Sequence, residues 1–210
     1  MGRFNLGNLR TRIRDLLNED SPDFWTDAQI DRLINDAERD IAMHGQCINN
    51  IDAATTVIDT RTVAFAGYNV LYVEYVTAGL GLPEILPNQL GRITPDGATP
   101  QKWFENGSSV GIDPLPDAAY PLNLYIADYP TSEMAADATE PQIPEHFQLL
   151  IVLHAYGNAL KKEKRIQQAA QVLGMYNNEL MFTRADIIEF QSESKGEYVS
   201  DRSASRSINK

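Results

Sequence analysis

Along the first part of the chain, apolar residues recur with helical spacing. Leu6, Leu9, Ile13, Leu16 and Leu17 are three and four apart, which puts them on one face of a helix. Arg10, Arg12 and Arg14 occupy other positions of the same stretch. The polar run 18–23, with Ser21-Pro22 inside it, breaks the pattern. Thr26-Asp27-Ala28-Gln29 then reads as a capping box, in which the threonine oxygen accepts an early backbone N–H and the glutamine reaches back. Asp27 suits the positive end of the helix dipole. The second helix carries Ile30, Leu33, Ile34, Ala37 and Ile41 on one stripe, with Gly45 as its expected stop. Phe24 and Trp25 are expected to fold onto its first apolar turn as a staple.

From about residue 53 the period shortens to two. Thr55–Ile58, Thr62–Phe65 and Leu71–Val76 are β-branched and aromatic runs, the pattern of strands. Asn106-Gly107 lies between two more such runs and predicts a tight hairpin with both of these residues at positive φ. Leu122–Ile126 alternates as a last strand that Pro130 closes, and 131–142 reads as a polar linker. Helix returns at Ile143-Pro144-Glu145, where proline suits the first turn. Residues 149–153 are apolar on every side, so this third helix is expected to be buried on most faces. Lys161-Lys162-Glu163-Lys164-Arg165 ends it with cations at the favourable end. A fourth helix over about 166–190 places Ala169, Leu173, Tyr176, Leu180 and Ile187 on one stripe. The Ser-rich, charged last twenty residues are expected to be flexible in isolation.

The expected fold class is α+β: mainly a bundle of about four helices, with a β-rich insertion between helices 2 and 3 and a flexible C-terminal tail. The expected divisions are an N-terminal helical pair (1–49), an acidic β-rich insertion (50–142), a C-terminal helical pair completing the bundle (143–190) and the tail (191–210).

Charge alters this picture. The chain has 210 residues and a formal net charge of −11. Residues 50–145 hold 13 acidic groups against 3 basic ones, so most of the excess lies in the middle. Such asymmetry points to distinct surfaces with distinct neighbours, or to a solvated acidic face that aids solubility. It argues against a general nucleic-acid binder, which needs clustered Lys and Arg. Cys47 is the only cysteine, which excludes a disulfide framework and a cysteine-rich zinc site. No apolar run is long enough to span a membrane, and the N-terminus lacks the apolar stretch of a secretory signal.

Candidate chemistry is thin. Gly107-Ser108-Ser109-Val110-Gly111 fits the nucleophile-elbow pattern, with Asp113 and His146 following in hydrolase order. An elbow needs a helix after the serine, and Pro114 and Pro116 forbid one. His44 and Cys47 make only half a metal site. His154 amid apolar neighbours reads as a hydrogen-bonded core histidine, and Gly79-Leu80-Gly81 lacks the rest of a phosphate loop. The acidic middle could hold a glycosidase carboxylate pair, but nothing singles one out. No catalytic constellation, cofactor site or metal site emerges, so the expectation is a non-enzyme that works through surfaces. The alternatives are a hydrolase of glycosidase or serine type and a generic acidic interaction domain.

Several segments together resemble the head-to-tail adaptor (connector, neck) proteins of tailed bacteriophages. They are Leu9–Asn18, Phe24–Ile30 with Leu33–Ala37, Pro100–Trp103, Ala119–Leu122 and Ile143–Phe147 running on to Leu160. Their order and spacing carry the likeness over most of residues 6–162. The resemblance implies a ring, typically of twelve copies, beneath the portal of the phage head, continuing the channel through which DNA passes without specific binding. It implies the portal protein, a tail or nozzle protein and further copies of the chain itself as partners, no membrane, and a place at the head–tail junction of a virion made in the host cytoplasm. Under this reading the C-terminal residues Tyr198, Arg202, Arg206 and Lys210 bind the portal. Arg10, Arg14, Arg32 and Arg39 serve the subunit interface, and Trp103, Phe104 and Tyr120 face the tail. A further expectation is that part of the acidity lines the channel, where like charge keeps DNA from sticking.

Overall fold

The computed structural model describes residues 4–19, 24–86 and 99–184. They form four helices and two antiparallel sheets, an α+β fold, in two compact units. One unit combines the chain up to Gly45 with the chain from Ser132 onward; the other is Gln46–Thr131.

The first unit holds α1 (Leu6–Leu17), α2 (Asp27–Gly45), α3 (Gln148–Lys162) and α4 (residues 166–184). In α1 the stripe buries Leu6, Leu9, Ile13 and Leu17, while Leu16 stays exposed at its edge. Asn5 caps its start by accepting the Asn8 N–H at 2.8 Å, and Asn18 ends it in the left-handed region at φ 54°. The amides of Leu6 and Gly7 have no partner within their own helix. They donate instead to the carbonyls of Thr139 (2.9 Å) and Asp137 (3.1 Å). The expected polar linker is thus part of how α1 is closed.

In α2, Ile30, Ile34, Ala37, Ile41 and Ala42 are buried. The glutamine half of the capping box is present: Gln29 Oε1 accepts the Thr26 N–H at 3.3 Å. The staple divides. Trp25 is buried, whereas Phe24 is 60% exposed and meets the indole edge-on at 5.5 Å. Pro144 precedes a 3₁₀ turn (Glu145–Phe147), and α3 follows. Its apolar run is buried at Leu150, Ile151 and Val152, but Leu149 is exposed. Lys164 turns the chain at φ 62° into α4, whose Ala169, Tyr176 and Leu180 are buried. A Cβ at Gly157 would lie 2.7 Å from Leu173 Cγ, so a hydrogen there lets α3 and α4 approach. The expected stripe residue Ile187 and the tail lie outside the described residues.

The second unit holds β1 (Asn49–Thr55), β2 (Thr62–Ala64), β3 (Asn69–Tyr75), β4 (Leu80–Leu82), β5 (Lys102–Asn106), β6 (Ser109–Asp113) and β7 (Pro121–Ala127). The sheets run β1-β7-β3-β4 and β2-β6-β5. One apolar cluster takes side chains from both, among them Val73, Trp103, Val110, Ile112, Leu122, Leu124 and Ile126. Residues 83–85 cover the β5 edge, with Ile85 N–H on the Trp103 carbonyl and Trp103 N–H on that of Pro83.

The β5–β6 hairpin is where expected but one residue later. Asn106 pairs with Ser109, so the turn is Gly107-Ser108. Only Gly107 takes positive φ, 62°, which matches turns with glycine at the first central position. The strand expected over Thr55–Ile58 ends at Thr55, because Thr56 turns inward. Its hydroxyl donates to the Ala118 carbonyl and accepts the Tyr120 N–H.

Candidate interaction surfaces

The N-terminal arginines face their own chain. Arg10 binds Asp31 with two nitrogens, Nε to Oδ1 at 2.8 Å and Nη2 to Oδ2 at 2.9 Å, and reaches Asp137 with Nη1 at 2.9 Å. The Asp31 hydrogen bonds dominate the environment that holds its guanidinium still more firmly protonated than usual. Arg14 bridges Glu19, Asp27 and the Trp25 carbonyl. That hydrogen bond holds the Asp27 carboxyl below its ordinary range. Arg32 and Arg39 stand exposed on α2.

Trp25 anchors a corner of the same unit. Its Nε1–H donates to Glu163 Oε1 at 2.9 Å, and Lys162 Nζ sits 4.1 Å over the indole. Glu38 is the buried acid of α2 and accepts the Gln142 N–H at 2.5 Å. Burial outweighs this bond and pushes its carboxyl above the ordinary value.

Between α2, α3 and α4 lies a groove of about 710 Å³. Met43, Leu173, Leu180 and Met181 give it apolar walls, and Lys161 and Arg184 add positive charge. On its floor Tyr176 donates to Asp40 Oδ2 at 2.5 Å, and the His154 ring lies 4.9 Å from that tyrosine. Burial lowers the His154 pKa and favours the neutral ring. His44 Nδ1 is 3.4 Å from Asp40 Oδ1. The sequence gives a faint sign of this groove: His154, Asn158 and Lys161 form a polar stripe at helical spacing along an otherwise apolar helix. Reading His44 and His154 singly misses it, because their partners come from three helices.

In the β unit the expected tail-facing residues separate. Trp103 and Phe104 are 3% and 5% exposed; Trp103 belongs to the shared cluster, and the Phe104 ring lies against Gly111 on the paired strand. Their side chains serve packing in this fold. Tyr120 is half-buried, 5.6 Å from the Tyr75 ring, with its hydroxyl on Asp117 at 2.5 Å. This bond is the main reason its pKa is pushed up to about 12. Tyr198, Arg202, Arg206 and Lys210 lie outside the described residues.

The β1–β2 connection protrudes. Val57 and Ile58 are 60% and 55% exposed, and Asp59 follows at φ 56° with its N–H on the Pro116 carbonyl. The acidic middle segment is itself divided. Glu133, Asp137, Glu140 and Glu145 lie past Ser132, in the helical unit.

The hydrolase motif is a hairpin rather than an elbow. Ser109 Oγ donates to the Asn106 carbonyl, and Asp113 is buried against Arg61 Nη1 at 2.8 Å. Among the described residues no three His, Cys, Asp or Glu side chains come together as a metal site. No helix among them is long and apolar enough to cross a membrane.

The sequence model of a family described as SU10 adaptor protein matches residues 4–195. No curated protein matches the chain.

Proposed function

The chain belongs to the SU10 adaptor protein family, a phage head-to-tail adaptor family, and on that premise we propose that it forms a ring beneath the portal, joins head to tail there and continues the DNA channel. The family match over residues 4–195 carries this reading. The role is structural and its partners are the portal, a tail or nozzle protein and about eleven further copies of itself in a closed, heterologous ring. In such a ring each subunit needs two unlike, complementary faces.

Within the proposal, the helices form the ring's bundle, and the β unit, Gln46–Thr131, is the insertion in it, shorter than the expected 50–142 at its C-terminal end. The C-terminal residues Tyr198, Arg202, Arg206 and Lys210 engage the portal. Arg10 and Arg14 are bound within the chain, and Arg32 and Arg39 stand exposed on α2; all four remain candidates for the contact with a neighbouring subunit. Tyr120 remains the tail-facing candidate of its trio. Glu84, Glu105 and Asp117, exposed on the β unit, are candidates to line the channel, where their charge would let DNA slide past.

The test is co-migration with the portal ring of the same phage on a sizing column. The expected result is a stable complex that is lost when residues 191–210 are removed. Separate elution of the full chain and the portal, at concentrations where each is folded, would overturn the reading.

A further inference from the structure

We propose that the Val57–Asp59 turn of one copy seats in the α2–α3–α4 groove of a second copy, and that this contact links neighbouring subunits. The inference rests on the ring reading above and names two unlike faces such a ring would use.

The turn has the chemistry of an anchor. Two β-branched side chains stand exposed side by side, followed by a carboxylate. Their few rotamers mean that little side-chain freedom is lost when they are buried. The backbone is already fixed: Val57 and Thr60 bridge, the Asp59 N–H is held by Pro116, and the buried Thr56 is hydrogen-bonded twice at the base. A rigid tip binds without the cost of ordering a loop.

The groove matches it. Met43, Leu173, Leu180 and Met181 offer apolar contact for Val57 and Ile58. Methionines adapt to such side chains, and Met181 is 72% exposed in the single chain. Lys161 and Arg184 offer positive charge to Asp59. Asp40 also lines the groove, with Tyr176 donating to its Oδ2 at 2.5 Å, and Lys161 and Arg184 together outnumber its charge. A volume of about 710 Å³ is in the range that takes a compact group, and a three-residue tip is such a group. The surrounding charges agree in sign. The tip belongs to a unit with 9 acidic groups against 3 basic ones, and the α3–α4 junction carries Lys161, Lys162, Lys164 and Arg165 against Glu163.

The experiment is disulfide trapping. Ile58→Cys and Met181→Cys are combined in a Cys47→Ser chain; both positions are exposed, so the fold should tolerate them. The protein is oxidised at high concentration, alone and with the portal ring, and run on a denaturing gel. The expected result is a ladder of covalent multimers that reduction collapses, with no ladder from either single variant. In the unmodified chain, Ile58→Glu should weaken self-association at least about tenfold, or ~1.4 kcal/mol.

Multimers by sedimentation without a ladder would overturn this contact and leave the ring reading intact. A chain that stays monomeric both alone and beside the portal would overturn both.

Discussion

The helical unit is tied together by side chains that reach far along the sequence, whereas the β unit is tied by backbone ladders around one apolar cluster. Arg10 with Asp137, Trp25 with Glu163, Asn35 with Met134, Glu38 with Gln142 and Asp40 with Tyr176 all join residues about a hundred or more positions apart. In the β unit the counterparts span shorter stretches of chain: Arg61 with the buried Asp113, Thr56 with Ala118 and Tyr120, and Glu74 with Asn123 and Tyr125. Side-chain ties concentrate stability in a few residues that cannot also serve a partner. Ladders leave strand and turn surfaces available for contact. The two tryptophans of the chain fall one in each unit, Trp25 and Trp103, so each unit carries its own fluorescent reporter.

The largest effects should come from those tryptophans. Trp25→Ala and Trp103→Ala should each cost about 3–5 kcal/mol. Urea unfolding followed by the remaining tryptophan for the opposite unit, and by far-ultraviolet circular dichroism for the whole chain, should show the opposite unit holding after the mutated one has lost its structure. Coincident loss of both units in both variants would break the comparison.

Glycine substitutions sharpen it. Gly111→Ala pushes a methyl into the Phe104 ring and should cost the β unit about 1–3 kcal/mol. Gly174→Ala on α4 meets open space and should stabilise the helical unit by up to about 1 kcal/mol. Thermal melts of the two variants should move in opposite directions.

A smaller and pH-dependent difference belongs to Glu38. Folded Glu38 holds its proton more tightly than the unfolded chain does, because it is buried. Raising the pH past the ordinary value of 4.5 therefore removes stability, until the raised pKa is passed. His154 acts with the opposite sign: its folded pKa is lowered, so stability is lost as pH falls through the ordinary 6.5. In a Trp103→Phe chain, where only Trp25 reports, Glu38→Gln should flatten the loss on the alkaline side and leave the acid-side loss in place. An unchanged pH profile would mean that Glu38 is not the buried acid that titrates. The smallest effect is that of Ser109→Ala, which should shift stability by less than about 0.5 kcal/mol.

Much of the architecture was legible because burial follows period. Most of the α1 and α2 stripes and the alternation of β7 match the buried sets, with Leu33 only half-buried, and Gly107 marks the hairpin. Errors arose where periodicity carries too little information. Leu16 and Leu149 lie at the edges of apolar faces, and a single residue of register separates Asn106-Gly107 from Gly107-Ser108. The role of residues 137–142 in closing α1 and meeting Glu38 could not be read at all, since such contacts depend on how distant segments pack. The same limit hid the groove. Trp103 and Phe104, given tail-facing roles under the family resemblance, have their side chains buried in the β unit, where aromatic residues serve cores as readily as interfaces.

The central claim is that this chain is a ring-forming adaptor on the portal. Electron microscopy of the portal mixed with the chain tests it most directly. End-on class averages should show one added ring that shares the portal's axis and symmetry. Averages identical to the bare portal, with the chain folded and in excess, would contradict it.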